Sequence, residues 1–480
     1  MRIPTRIWRY VLVCICLVLP WQASAAPSVA PAAVDYAAAM RSGLAADANR
    51  ADLPQYDLDL TIDPAARRLS GAMQLSFRNT TGGELRDVVL RLYPQFPADV
   101  FGDGGDITMD VSNIVVQGAA TKASYEARRT VLRLPLPAPV ANDQTITLSL
   151  DYTANIVAWQ RSDGTFPLPS YYPMLAAWQD GWRTDLTRFP DRVYASSALY
   201  HARITVPTGW TAVTTGSTIG TSERDQQTTF EAVSGPVREF ALTVGRFAVA
   251  RATHNGVSIA VYHRTGDGLD RDAATMANHI AASVATFDDR FGLYPYRELE
   301  FHLINAKRGY DIGVEYPGLV IILLNGRYTE DTRFVTAHET AHQWFYGVIG
   351  NDIYNEPWLD ESFAQYSGML VEEQWAGPAA ARRTYDRHIA RLAARTQLPA
   401  GLSITDYGAW NAYYAAVYGR GAQFLYTLRG EIGDRAFFDG LRSYYAAHKY
   451  GVAHAADVRA AFERSSGRDL GPLFKRWIGR

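Results

Sequence analysis

The sequence predicts an α+β protein of more than one domain: a β-rich N-terminal part followed by a largely helical part. Three observations carry this expectation. From residue 54 to about 250, short runs alternate polar and apolar residues and are separated by turn residues. From residue 365 to the C-terminus the apolar residues recur at helical spacing. Between them, residues 335–366 read VTAHETAHQWFYGVIGNDIYNEPWLDESFAQY, two helices rich in metal-binding residue types. At 480 residues the chain is too long for one ordinary domain.

Residues 1–25 have the pattern of a secretory signal peptide. Arg2, Arg6 and Arg9 form its basic start, residues 11–19 its apolar core, and Ala23-Ser24-Ala25 its small-residue cleavage site. Nine apolar residues are too few to span a bilayer. The expected product is therefore exported, periplasmic or secreted, with no stable membrane insertion after cleavage. Both cysteines, Cys14 and Cys16, fall in this leader, so the mature chain has no disulfides to hold it. A formal net charge of −2 with no basic run excludes a nucleic-acid partner.

Residues 26–50 form an Ala- and Pro-rich leader that ends in a short helix over 36–44. The β-rich domain, residues 51–250, follows. Its strands are expected at 56–62, 69–77, 85–93, 130–136, 145–152, 205–213 and 239–247, in an antiparallel sandwich or saddle-like sheet. Residues 170–192, aromatic and proline-rich around Tyr171-Tyr172-Pro173, are read as a structured loop near a domain junction. The second domain, residues 251–480, opens with a strand at 257–263 and a helix at 273–291. Strands at 299–304 and 318–324 come next.

The metal-binding types are concentrated in the next helix, with Asp331 or Thr332 as its N-cap. His338 and His342 enclose Glu339 in an H-E-x-x-H element, and Glu361 stands eighteen residues beyond His342. Two histidines four apart on a helix share one face and can reach one ion. A carboxylate on a second helix, which Pro357 would start near N1, completes a three-ligand set. Three protein ligands leave a fourth position for water, the arrangement of a catalytic zinc site holding one ion. Glu339, next to the first ligand, suits the general base acting on that water. Two surface histidines on a polar helix face would give the same string, but Phe334, Ala341 and Phe345 make that face apolar and buried. The remaining histidines have no ligand-like spacing.

These residues resemble a known family. H-E-x-x-H, an eighteen-residue gap and Glu361 within Trp-Leu-Asp-Glu-Ser-Phe-Ala are similar to the zinc aminopeptidases of the aminopeptidase N type. These are gluzincins, with a thermolysin-like catalytic fold. Gly313-Val314-Glu315-Tyr316-Pro317, Tyr418-Gly419-Arg420-Gly421-Ala422 and the C-terminal segment with Trp477 agree with the same family. The resemblance covers roughly residues 50–480 and is strongest from 290 to 425. It implies a β-rich saddle or sandwich domain followed by a thermolysin-like domain, with the family's C-terminal helical domain absent. It also implies that Glu315 binds the α-ammonium of a peptide substrate and that Tyr418 donates its hydroxyl to the oxyanion. By its own context Tyr418 is equally a packing residue among Tyr413, Tyr414 and Tyr426. Three departures accompany the match. The family's Gly-x-Met-Glu-Asn reads Ile312-Gly313-Val314-Glu315-Tyr316 here, its Lys is Arg420, and its Asn before the third ligand is Asp360. No residue of the β-rich domain is matched to the family's second amine-binding Gln or Glu. The expected function is an exported zinc aminopeptidase. The alternatives are a zinc endopeptidase of the same fold and a non-catalytic peptide-binding protein.

Overall fold

An eight-stranded sheet forms the floor of the β-rich half. In the computed structural model, which describes residues 34–96, 107–157, 164–186, 193–306 and 311–479, its strands lie in the order 217–224, 227–233, 199–207, 55–63, 68–78, 145–155, 109–116 and 119–120. Gln55–Asp63 and Arg68–Arg78 alternate buried and exposed positions almost without exception, so one face is core and the other solvent. Two smaller sheets, built on Val131–Val140 and Ala241–Gly245, complete this half. The expected strand at 205–213 is two strands in different sheets, Leu199–Pro207 and Thr211–Thr214. The turn between them contains Gly209 at φ 85, which ends one strand and redirects the chain.

The second half is a five-stranded sheet covered by helices. Its order is Phe247–His254, Val257–Arg264, Glu298–Asn305, Leu319–Leu324 and Ile312–Tyr316. The middle three strands are parallel, and the crossover helix Asp270–Arg290 joins the first two of them. Leu319–Leu324 is buried at every position, as a strand covered on both faces must be. The helix Trp358–Ala376 is buried from Trp358 through Glu372 and is the centre of the helical layer.

The expected helix at 36–44 is replaced by two 3-10 turns, Tyr36–Ala39 and Ala45–Ala48. Arg41 lies between them and is drawn into the body of the fold. It pairs with Asp288 at 2.9 Å and donates to the carbonyls of Tyr294 and Asn255. Asp35–Arg480 pack as one unit. The expected signal peptide, residues 1–25, lies outside the described residues. Among the described residues no helix is long and apolar enough to cross a membrane.

Candidate active site

The helix Glu330–Ala341 starts two or three residues earlier than its composition suggested. Thr329 is the N-cap: its hydroxyl accepts from the Thr332 amide, and the Thr332 side chain accepts from the Thr329 amide. Asp331 and Thr332, expected as caps, occupy the first turn. Four successive polar residues, Thr329 to Thr332, allow several starts, and the tertiary contacts choose among them: the Thr332 hydroxyl donates to Asp311 at 2.6 Å. The helix ends at Ala341, and His342 is its C-cap with dihedrals still helical. Phe345 therefore lies past the helix rather than on its face. Pro357 is the N-cap of Trp358–Ala376, one position before its expected place. Arg333 and Glu372 tie the two helices together through two hydrogen bonds of 2.6 and 2.9 Å.

The three expected ligand atoms converge. His338 Nε2 and His342 Nε2 are 3.1 Å apart, and each stands 3.3 Å from Glu361 Oε2. All three side chains are buried. Ligand atoms about 2.0–2.2 Å from one ion at tetrahedral angles stand roughly 3.3–3.6 Å from each other. The observed spacing matches that set, and two imidazoles with one carboxylate is a zinc donor set. The backbone prepares it: His342 Nδ1 donates to the Phe345 carbonyl at 3.1 Å, which leaves the Nε2 lone pair facing the centre. Asp360, which replaces the family's Asn, accepts from the Glu361 amide at 2.6 Å and from Asn351 at 3.0 Å. It orients the helix turn that presents Glu361.

The electrostatics are set by three carboxylates around two imidazoles. Burial alone lowers the His342 pKa, but Glu315, Glu361 and Glu339 outweigh it and hold the ring well above the ordinary value. His338, whose desolvation dominates, is lowered. Burial opposes ionisation of Glu361, yet both imidazoles hold its carboxyl below the usual range. A divalent cation answers the same excess of negative charge.

Glu315 and Glu339 lie on the His342 side of the centre, each with an oxygen within 4.8 Å of that ring and of the other. Glu315 is on the edge strand Ile312–Tyr316, antiparallel to Leu319–Leu324. The apolar strand Leu319–Leu324 is enclosed between Glu298–Asn305 and Ile312–Tyr316 and offers no edge to an extended substrate. The free sheet edge belongs to Ile312–Tyr316 instead. Pro317 and Gly318, the latter at φ 72, form the turn between the two strands. Gln343 fixes this turn, accepting from the Gly318 amide at 2.7 Å and donating to the Tyr316 carbonyl at 3.1 Å. Gly313 is a required close approach: a Cβ there would stand 2.1 Å from the Glu339 carboxylate.

Tyr418 lies on the opposite side, on the π-helical turn Ala415–Gly421. Its hydroxyl donates to Glu361 Oε1, and its ring is stacked with His338 at 5.9 Å. Arg420, in place of the family's Lys, packs over Trp477 at 5.0 Å. All six expected site residues are thus gathered at one centre.

Two contributors were not expected. Gln343 follows the motif directly and has no signature of its own. Glu239, from the β-rich half, is buried and accepts from the hydroxyls of Ser170 and Tyr346. Burial pushes its carboxyl up to about 7, against those two hydroxyls. A Glu inside an otherwise apolar strand-like run was the available signal. Tyr346, a non-glycine residue at φ 111, is held at both ends: Arg238 donates to its carbonyl at 2.8 Å and its hydroxyl reaches Glu239.

Comparison with known proteins agrees with this arrangement. Residues 319–477 match the peptidase family M1 domain. The chain is 26% identical to aminopeptidase N of Streptomyces lividans over 319 residues, 60% of this chain and 36% of that protein. It is 27% identical to aminopeptidase N of Lactococcus lactis over 252 residues, 47% of this chain and 28% of that one. The match thus spans about a third of the length of these aminopeptidases. The fold is similar to the M1 zinc metallopeptidase of Deinococcus radiodurans, in a mutant form, with a TM-score of 0.69 and 22% identity, covering 89% of this chain and 94% of that one. A mutant of that metallopeptidase bound to a Tyr-Ser-Ala substrate superimposes with a TM-score of 0.68. Domain match, relatives and fold agree with the resemblance read from the motifs: residues 319–477 carry a peptidase family M1 domain, and the chain is similar to aminopeptidases of the aminopeptidase N type.

Proposed function

We propose that the protein is a zinc-dependent aminopeptidase that releases the first residue of peptides with a free N-terminus. The observation that carries this reading is the convergence of His338, His342 and Glu361, with Glu315 and Glu339 on one side and Tyr418 on the other. His338, His342 and Glu361 hold the ion, which when bound supplies Lewis acidity to water and to the scissile carbonyl. Glu315 pairs with the α-ammonium and sets the register, so that the first peptide bond lies at the centre. Glu339 takes the proton of the attacking water and returns it to the leaving amine, a role worth typically ~10²–10⁴-fold. Tyr418 leaves Glu361 to donate to the oxygen of the tetrahedral species, a contribution of about 10²–10³-fold. Gln343 keeps the strand end that carries Glu315 in place.

The test compares one peptide with free and acetylated N-termini, with zinc content measured on the same preparation. Preference for the free amine supports the reading. Equal cleavage of both removes the role of Glu315 and favours a zinc endopeptidase. Zinc-free, inactive protein favours a non-catalytic peptide-binding protein. Export belongs to the same proposal, and rests on the leader pattern of residues 1–25. A mature N-terminus at Ala26, found by mass spectrometry of the cell-envelope or secreted fraction, supports it, and an intact leader on cytoplasmic protein overturns it.

A further inference from the structure

Tyr418 is the innermost member of a row of aromatic rings that leads from the metal centre to the surface. The short helix Trp410–Tyr414 runs directly into the turn that carries Tyr418. Trp410, Tyr414 and Tyr418 are spaced four apart and so share one face. Ring centroids are 6.1 Å apart between Trp410 and Tyr414 and 4.6 Å between Tyr414 and Tyr418. The row ends against His338, 5.9 Å from Tyr418. The outer two rings are open to solvent, with Trp410 41% and Tyr414 37% exposed. Their neighbour Tyr413 is fully buried and backs the row from the core, 5.2 Å from Trp410 and 6.1 Å from Tyr418.

The direction of the row matters. Glu315 and Glu339 group with His342, whereas Tyr418 groups with Glu361 and His338. On the aminopeptidase reading, a peptide whose ammonium is at Glu315 leaves the centre on the Tyr418 side, where Tyr414 and Trp410 follow. Exposed aromatic faces keep apolar surface in water until something flat or apolar covers them.

We propose that Trp410 and Tyr414 form the platform for the side chains that follow the scissile bond, and select peptides with an aromatic or large apolar residue in the second position. This rests on the aminopeptidase reading for the direction of the chain and deepens it to a substrate class. Trp410 and Tyr414 are specificity residues here: they touch the departing part of the substrate and take no part in proton transfer.

The experiment measures kcat/KM for Ala-Phe-Ala and Ala-Gly-Ala with the full zinc-loaded chain. The wild type is expected to favour the Phe peptide by about 3- to 10-fold, the size of one aromatic contact. Trp410→Ala should erase most of that ratio, chiefly through KM, and Trp410→Phe should restore part of it. Trp375→Ala, at a still more exposed tryptophan on another surface, should leave it unchanged. A purely structural role for Trp410 would lower both peptides together and leave the ratio intact, and that result overturns the proposal. So does a wild type without preference. Binding of the same two peptides to Glu339→Gln protein, followed by tryptophan fluorescence, separates the two readings. If binding discriminates between the peptides but the wild type hydrolyses neither, the platform stands and the aminopeptidase reading fails. If neither peptide binds preferentially, the platform fails.

Discussion

Glu339, Glu315 and Glu361 are the same residue type within one small volume, and their neighbours assign them different work. Glu361 faces both imidazoles and is held ionised, as a ligand must be. Glu339 lies against Gly313 and near His342, one residue after the first ligand. We expect Glu339→Gln to lower kcat by about 10²–10⁴-fold while zinc content stays near one per chain. His338→Ala should instead lose the metal, checked by metal analysis after dialysis. Outside the site, Glu300 is buried on a central strand, and desolvation, with Glu298 nearby, pushes its carboxyl up to about 8 against the pull of Arg251. A raised carboxyl in the folded state makes its stabilising contribution below the ordinary value near 4.5 and loses it as pH rises through about 8. Glu300→Gln should therefore gain stability over the wild type progressively from pH 5 to 8, by at most about 5 kcal/mol. Chemical unfolding at several pH values measures this, and a difference constant with pH would refute it.

At the scale of elements, the site depends on backbone approaches that admit no side chain. The edge strand Ile312–Tyr316 reaches Glu339 only because position 313 has no Cβ. Gly313→Ala should displace the Glu339 carboxylate and lower kcat/KM by about 10²-fold or more, the scale set by misplaced catalytic groups. Its melting temperature should change little, since only one side chain has to move. Similarly, a Cβ at Gly421 would stand 1.8 Å from Ser362 Oγ, whose hydroxyl donates to the Val417 carbonyl at 2.7 Å. Gly421→Ala should push the π-helical turn away from Trp358–Ala376 and cost about 1–3 kcal/mol of stability along with activity. Urea unfolding and peptide hydrolysis on the same sample check both effects. H-E-x-x-H was legible because helical spacing alone places its histidines together. Neither glycine was legible as a packing requirement, because the partner of each comes from another element.

For the whole molecule, the β-rich half reaches into the metal-site region through Arg238 and Glu239. The Arg238 guanidinium is fully buried and donates to the carbonyls of Tyr346, Ala195 and Gly451, and burial lowers its pKa to about 10. Gly350 lies against it, with a Cβ position 1.9 Å from the guanidinium carbon. Arg238→Met should leave the buried carbonyls of Tyr346 and Ala195 without this donor, at a cost of about 2 kcal/mol or more. It should also loosen Tyr346, immediately after the metal helix, so that activity falls at temperatures where the chain is still folded. Parallel melts and activity assays distinguish the two, and an unaltered profile of both would show the clamp to be dispensable.

The sequence by itself determined the parts that depend on spacing along one chain. Alternation gave away the strands of the β-rich half, the four-residue interval the histidine pair, and the fixed gap to Glu361 the carboxylate that joins it. Its family motifs pointed to Glu315 and Tyr418. The tertiary structure alone decided the rest. It placed Glu315 on a sheet edge and closed off the apolar strand beside it. It chose Thr329 over Asp331 and Thr332 as the cap, because Asp311 holds the Thr332 hydroxyl from another element. It brought Glu239 to Tyr346 across more than a hundred residues of chain. The physical reason is common to all three: periodicity encodes which face of an element is buried, whereas the partner that covers that face is set by packing between segments remote in sequence.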